Sequence, residues 1–586
     1  MKRHMREDYL VEGEGLLCFD ENHEPTTRRP STTAELRKFR FSRLGPEGRA
    51  LDKRTRTALA EAMVNTASVD SADPAVPAGY TYLGQFVDHD LTMDNTAAAL
   101  GEDVSVDELL QGRSPALDLD SLYGRGPEDK TDRVFYAADG VHLKTGATAG
   151  LGGADPAVAP DRDGFDLPRS GLGSSKRERR AALIPDARND ENLVVAQTHL
   201  AFIRFHNRVV DQLAEGGLSG RALFQAARSV VVRHYQWLLV HDFLPRIVSP
   251  EVVEEVFTRG RKFFEVSPGY GQRQRRRAVQ PGDRPTMPIE FSVAAYRLGH
   301  SMIREVYDWN RIFNTSTHRD VLAPGTLQLL FQFSGTSGIL SPDGTIADPE
   351  SGSFERLPTN WIADWRRLFD FTEAGRDDLV AVVDVDENDT EPGVRQLNLT
   401  KRIDTNLVDP LRDLPLGSFG GQDVPPAIEL NLAFRNLTRA VMVRLASGQQ
   451  MAQLFDLVPL KADEILAGLD GAVLDGLSDA QKAELTTNTP LWFYILREAE
   501  FNGGRLDGVG ARIVAEVFHR AIEGSRISIL RDPTWRPTLG PDDETFRMVD
   551  LLLYAFEGNA ELLNPVGDPV PATPAEPEVP AEVVPA

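Results

Sequence analysis

Apolar residues recur at helical spacing along most of the chain. Between Asp190 and Leu213, Leu193, Val194, Ala196, Leu200, Ile203 and Val210 fall on one face, which predicts an amphipathic helix. The pattern continues over Arg221–Leu244 and predicts further helices at 291–305, 427–445, 490–500 and 509–522. Alternation of period two is sparse, so the expected fold class is mainly α with few short strands. Residues 136–175 are rich in Gly, Ala and Asp and read as a long surface excursion. No repeat or linker divides the body. Residues 1–45 are expected to be a loosely ordered polar arm, 46–563 one domain, and 564–586 a Pro/Ala/Glu-rich tail, disordered or polyproline-like.

Composition narrows the function. The 586 residues are 41% hydrophobic and 26% charged, enough for a large core. There are 88 acids against 64 bases, a net charge of −24. That argues against a nucleic-acid partner, because a phosphate backbone needs a basic face. Cys18 is the only cysteine. It excludes an internal disulfide, a multi-cysteine zinc site and an iron–sulfur cluster. No apolar run reaches the ~18 residues of a membrane span, so no transmembrane segment is expected. The charged start, MKRHMREDYLVEGEG, has no apolar h-region. The expectation is no signal peptide, and a cytoplasmic protein or one exported by a non-cleaved route.

Eleven histidines can be sorted by their surroundings. His4 and His23 lie in the polar arm, and His142, His318 and His519 stand alone. His199 and His206, and likewise His234 and His241, are spaced by seven beside core residues and read as satisfied structural histidines. Two differ. His89 lies in GYTYLGQFVDHDLTMD, flanked by Asp88 and Asp90, with Gln85 one turn earlier on the same face. Such a charged triplet is costly to bury unless something binds it. His300 lies in AAYRLGHSMIRE, beside Gly299. That glycine suits a flat ligand against the backbone, or equally a packing accommodation. Each motif alone stands open between core and function.

Together they resemble the animal-type haem peroxidases of the peroxidase–cyclooxygenase superfamily. GQFVDHDLT (84–92) looks like the distal-histidine motif and PALDLDSLYG (115–124) like the calcium loop. PDARNDENLVVAQTHLAFIRFHNRVV (185–210) looks like the helix bearing the distal arginine. RLGHSMI (297–303) looks like the proximal-histidine helix, and RNLTRAVMVRLASGQ (435–449) like the segment of the proximal asparagine. Five motifs in the family's order are far more specific than any one. The resemblance runs from about residue 45 to about 560, and the short asparagine segment looks more like bacterial members.

The resemblance implies haem b and Ca2+ as cofactors, and hydrogen peroxide with a small electron donor (halide, thiocyanate or a small aromatic) as partners. It implies a peroxidase reaction through a ferryl intermediate. His300 is the implied proximal iron ligand, oriented through the side-chain oxygen of Asn436. His89 is the implied proton shuttle, Arg188 a fixed cation, and Gln85 a group holding water or a small anion. Asp90, Ser114, Asp118, Asp120 and the main-chain oxygen of Ala116 are the implied calcium ligands, all hard oxygens. Asp88 and Glu191 match carboxylates that form ester bonds to the haem in mammalian members, so an ester-linked haem is open. Asn192 stands where myeloperoxidase has its sulfonium-forming methionine. Arg297 and Arg439 match basic residues near the haem edge. The acidic run DVDENDT (384–390) is a poor calcium loop, lacking glycine at its sixth position, and reads as solvated.

Two rival functions remain. A haem-dependent fatty-acid dioxygenase uses a tyrosine three residues before the proximal histidine. Arg297 occupies that position here, and Tyr296, one residue back, is expected to face elsewhere. A non-catalytic haem-binding module is the other rival. The sequence leaves the donor and the oligomeric state open.

Overall fold

The structure, a computed structural model, describes residues 16–19, 25–28, 41–64, 75–96, 98–266, 281, 284–316, 321–332, 355–383, 394–414 and 426–568. The loop 384–390 and the end of the tail from 569 lie outside them. Helices carry the fold: α1 (Lys53–Met63), α2 (Gly79–Leu91), α3 (Leu193–Glu215), α4 (Gly220–Leu238), α5 (Pro250–Arg259), α6 (Leu432–Met442), α7 (Leu491–Phe501), α8 (Gly508–Gly524) and α9 (Met548–Ala555). The strands among the described residues form only two-stranded pairs. The fold is mainly α, as the periodicity predicts.

α3 is the central scaffold. Its buried face follows the predicted spacing, with Leu193, Ala196, Leu200, Ile203 and Val210 all in the core. α2, α4 and α9 pack against it. Asn192 caps its start, Oδ1 accepting from Val195 N at 2.9 Å. A cap of this kind stabilises a helix by about 0.5–2 kcal/mol.

One expectation needs correction. The stretch 291–305 is not one α-helix. Glu290–Ala294 is a π-turn and Ala295–Ser301 a 3-10 turn. Tertiary contacts override the local periodicity there: the buried Glu290 carboxylate accepts from Leu44 N and Gly45 N, each at 2.9 Å. Within the arm, Leu16–Phe19 pairs antiparallel with Pro25–Arg28. At its end, Phe41–Ser42 pairs with Met287–Pro288, just ahead of the irregular stretch.

Candidate active site

α2 places Asp88, His89 and Asp90 in three directions, because successive residues turn ~100° about a helix axis. All three are buried. Asp88 faces Arg297, with Oδ2 3.4 Å from Nη1, and accepts from Thr92 Oγ1 at 3.0 Å. His89 meets Asn189 through Nδ1 at 2.8 Å, and its Nε2 side opens on a large cavity. Asp90 points to the opposite side. Gly79 lets α2 start close to its neighbour, since a Cβ there would stand 2.2 Å from the Phe369 ring.

The cavity is lined by Gln85, Asp88, His89, Glu191, Asn192, Tyr296, Arg297, Gly299 and His300, and its outer wall is apolar, with Met302, Leu327, Phe331, Leu411 and Leu432. It holds about 1310 Å³ of non-atom space including its mouth. His89 and His300 therefore share one chamber.

Three observations suit this chamber to a flat macrocycle held by His300. First, a Cβ on Gly299 would meet nothing within 4 Å among the described residues. The glycine is thus not a packing accommodation, and the space beside the imidazole is open to a ligand. Second, burial, then the Arg297 charge, push the His300 imidazole down to about 3. It is neutral at pH 7, as a metal ligand must be. Third, Asn436, on α6, sits behind the ring, its Nδ2 2.9 Å from His300 Nδ1. The facing atom is the amide nitrogen, not the expected oxygen. A half-turn of the amide would present the oxygen and let Nδ1 keep its proton, freeing Nε2 for iron.

Gln85, Glu191 and Asn192 form a connected edge. Gln85 Nε2 donates to Glu191 Oε1 at 2.6 Å, and Asn192 Nδ2 donates to Gln85 Oε1 at 2.9 Å. The same Glu191 oxygen lies 3.6 Å from His89 Nε2. Arg188 does not line the cavity. Its Nη2 donates to the main-chain oxygens of His89, at 3.1 Å, and Thr92, at 2.7 Å, while Asp186 holds the same nitrogen at 2.7 Å. Arg188 therefore clamps the C-terminal end of α2, where a cation also suits the helix dipole. Arg439 is exposed on α6, one turn past Asn436 and outside the cavity lining, yet near enough to His300 to disfavour its protonation. Tyr296 corrects an expectation. It lines the cavity, and its buried hydroxyl has no hydrogen-bond partner among the described residues. The π and 3-10 turns before His300 do not keep the α-helical offset that would turn it away.

Asp90, Asp118 and Asp120 converge behind α2, with a carboxylate oxygen from each within 4.8 Å of the others. All are buried. Burial, then the Asp118 charge, raise the Asp90 carboxyl above its ordinary range. Leu119, between the two loop acids, has φ 60°. A non-glycine residue tolerates that at a cost of about 1–2 kcal/mol. Ser114 Oγ lies 3.5 Å from Asp118 Oδ2, and the buried Ala116 lies in the same loop, its carbonyl accepting from Asp118 N at 3.1 Å. An all-oxygen set with three buried acids fits a hard divalent cation such as Ca2+.

Two residues escaped the sequence reading. Asn189 and His199 continue the hydrogen bond behind His89: Asn189 Nδ2 lies 2.9 Å from His199 Nδ1. Spacing by seven gave His199 the look of plain core, and nothing in the periodicity signals the bond.

The profile of the family described as animal haem peroxidase matches residues 96–348. A peroxidase-like protein of Margaritifera margaritifera is 26% identical over 267 residues, which are 39% of this chain and 32% of that protein. Human thyroid peroxidase is 28% identical over 202 residues, 33% of this chain and 19% of that one. The matched stretch thus spans about a third or less of those relatives' length. Among solved structures, peroxidase A from Dictyostelium discoideum aligns with a TM-score of 0.52 at 15% identity, over 97% of this chain and 99% of that one. Fatty acid alpha-dioxygenase from Arabidopsis thaliana aligns with a TM-score of 0.52 at 13% identity, over 92% and 82%. At these identities the structures speak to fold alone. Residues 96–348, under half of the chain, carry the likeness to the animal haem peroxidase family.

Proposed function

We propose that this protein is a haem peroxidase that reduces hydrogen peroxide and oxidises halide, thiocyanate or small aromatic donors. One observation carries the reading: His89 and His300 line the same chamber, each backed by a side-chain amide. His300 would hold the iron through Nε2, with Arg297 and Arg439 toward the macrocycle's carboxylates and Asp88 and Glu191 available for ester bonds. When bound, haem would supply the redox centre at which the peroxide O–O bond breaks.

The protein's own residues do the rest. His89 Nε2 takes a proton from one peroxide oxygen and returns it to the other, a role worth ~10²–10⁴-fold. Arg188 holds the end of α2, and with it the His89 backbone. Gln85, spanned between Glu191 and Asn192, sets the polar edge on which water or an anion rests. Ca2+ at Asp90, Asp118 and Asp120 would anchor the residue next to His89.

A second reading, haem-dependent oxygenation of a fatty acid, is favoured by one observation: the Tyr296 hydroxyl, without a partner among the described residues, in an apolar-walled cavity. Expression with haem supply separates the two. Peroxide with iodide, bromide, thiocyanate or guaiacol should give turnover. Oxygen uptake with a long-chain fatty acid and no donor oxidation would instead establish the second reading.

A further inference from the structure

We propose that Asn189 is the positioning residue that sets the tautomer of His89, and that His199 in turn sets the orientation of Asn189. Asn189 stands between two imidazoles and meets the Nδ1 atom of each, at 2.8 Å for His89 and 2.9 Å for His199. One amide has one accepting oxygen and one donating nitrogen. A neutral pair on such an amide must therefore differ: one Nδ1 carries a proton and the other a lone pair. Oδ1 faces His89 and Nδ2 faces His199. His89 is thereby the Nδ1–H tautomer, with the Nε2 lone pair turned to the cavity. His199 is then the Nε2–H tautomer, accepting through Nδ1 and leaving that Nε2–H without a partner among the described residues.

The arrangement is enclosed. Asn189 and His199 are both fully buried, and α3 carries His199. The Phe86 ring meets the His199 ring edge-on, centroids 5.8 Å apart. Burial pushes the His199 imidazole down to about 3, so it stays neutral and keeps its acceptor. Turning the Asn189 amide over would move two protons at once, and would put the His89 proton on Nε2. There it could not accept one from peroxide. Glu191 Oε1, 3.6 Å from Nε2, is beyond hydrogen-bond reach and does not dictate a proton there. The inference deepens the proposed function, resting on His89 Nε2 as the proton acceptor.

Nitrogen-15 histidine labelling of the full-length haem-loaded protein, in its diamagnetic ferrous carbonyl form at neutral pH, tests this directly. The protonated and lone-pair nitrogens of a neutral ring differ widely in shift. His89→Gln and His199→Phe assign the signals. The expected result is Nδ1–H for His89 and Nε2–H for His199. In Asn189→Ala both rings should become tautomer mixtures, and the rate of the peroxide step should fall ~10–100-fold, the usual cost of losing an orienting partner. In Asn189→Asp the carboxylate can accept from both rings. His89 should keep Nδ1–H and most of its rate, while His199 switches to Nδ1–H. A residue that only fills space would give neither the switch nor the rescue. Nε2–H on His89 in the unaltered protein, or tautomers unmoved in Asn189→Ala, overturns the proposal. The tautomers are read without turnover, so an inactive protein with the stated tautomers would refute only the peroxidase reading.

Discussion

Asn192 ties the start of α3 to the cavity edge, its Nδ2 donating to Gln85 Oε1 at 2.9 Å. Its Oδ1 meanwhile caps the helix at Val195 N. The two jobs use opposite ends of one amide, so substitutions can separate them. Asn192→Asp keeps the cap and removes the donor. It should leave the melting temperature nearly unchanged and raise the apparent KM for iodide about five-fold, the scale of one hydrogen bond. Asn192→Ala removes both and should also cost about 1 kcal/mol of stability. Thermal melts beside steady-state donor kinetics check the split. Equal destabilisation by the two substitutions would show that the cap is not what Oδ1 provides.

His89→Ala should slow the peroxide step ~10²–10⁴-fold, because only water remains to carry the proton. Gln85→Ala should leave that step within a few-fold and act on the donor instead, since both ends of its amide are engaged along the edge. Stopped-flow mixing of the ferric protein with peroxide resolves the step. An unchanged rate for His89→Ala would remove the proton-shuttle role even with haem present.

Asp186 links the Ser114–Asp120 loop to α2. It bonds Arg113 at 2.6 Å and Arg188 at 2.7 Å, and Arg113 Nη1 lies 3.7 Å from Asp120. The two arginines hold its carboxyl well below the usual carboxylate range, outweighing burial. Asp186→Asn should therefore cost about 3–5 kcal/mol, as removal of one partner from a buried ionic network does. Chelation of Ca2+ should weaken the same region by leaving three buried acids around one point. At a cation level 100 times Kd, the lost stabilisation is about 2.7 kcal/mol. Melts with and without chelator, repeated on Asp118→Asn, test this. A melting point insensitive to chelator in the unaltered protein would argue against a cation at Asp90, Asp118 and Asp120.

The contrast between Asp88–His89–Asp90 and Asn189–His199 marks what a sequence reveals. Three adjacent polar residues on an apolar helix are conspicuous, because each must find its own partner on a different side. The helical spacing of α3 is equally visible, since burial of one face is a property of the segment itself. The amide bridge is not. It joins α2, a short 3-10 turn and α3, and no local pattern records which polar group a distant fold will bring within 2.9 Å. The π and 3-10 turns before His300 are hidden for a similar reason. They differ from an α-helix by one residue per hydrogen bond, a choice settled by contacts such as Glu290 with Leu44 and Gly45. Tyr296 was misplaced as a consequence.

Buried neutral histidines make a last prediction, on acid stability. Burial pushes His199 down to about 3 and His206 to about 4, the latter against the opposing bond from its Nε2 to the Val141 carbonyl. In the unfolded chain both return to about 6.5. Between these values the unfolded chain binds more protons than the folded one, so stability falls as pH falls. The contribution is complete above about pH 6.5 and is lost progressively toward pH 3–4. Asp186, held below the ordinary carboxylate range, protonates only further down and does not account for a loss that begins near pH 6. With Ca2+ saturating, the melting temperature should therefore decline steadily from pH 6.5 to pH 4. His206→Gln removes one titrating group while keeping a donor for Val141. It should lower the melting point somewhat at neutral pH, yet make the decline shallower. Scanning calorimetry of both proteins across this range measures the two slopes. A slope unchanged by His206→Gln would mean that His206 does not carry its share of the proton uptake, and that its burial does not hold it neutral.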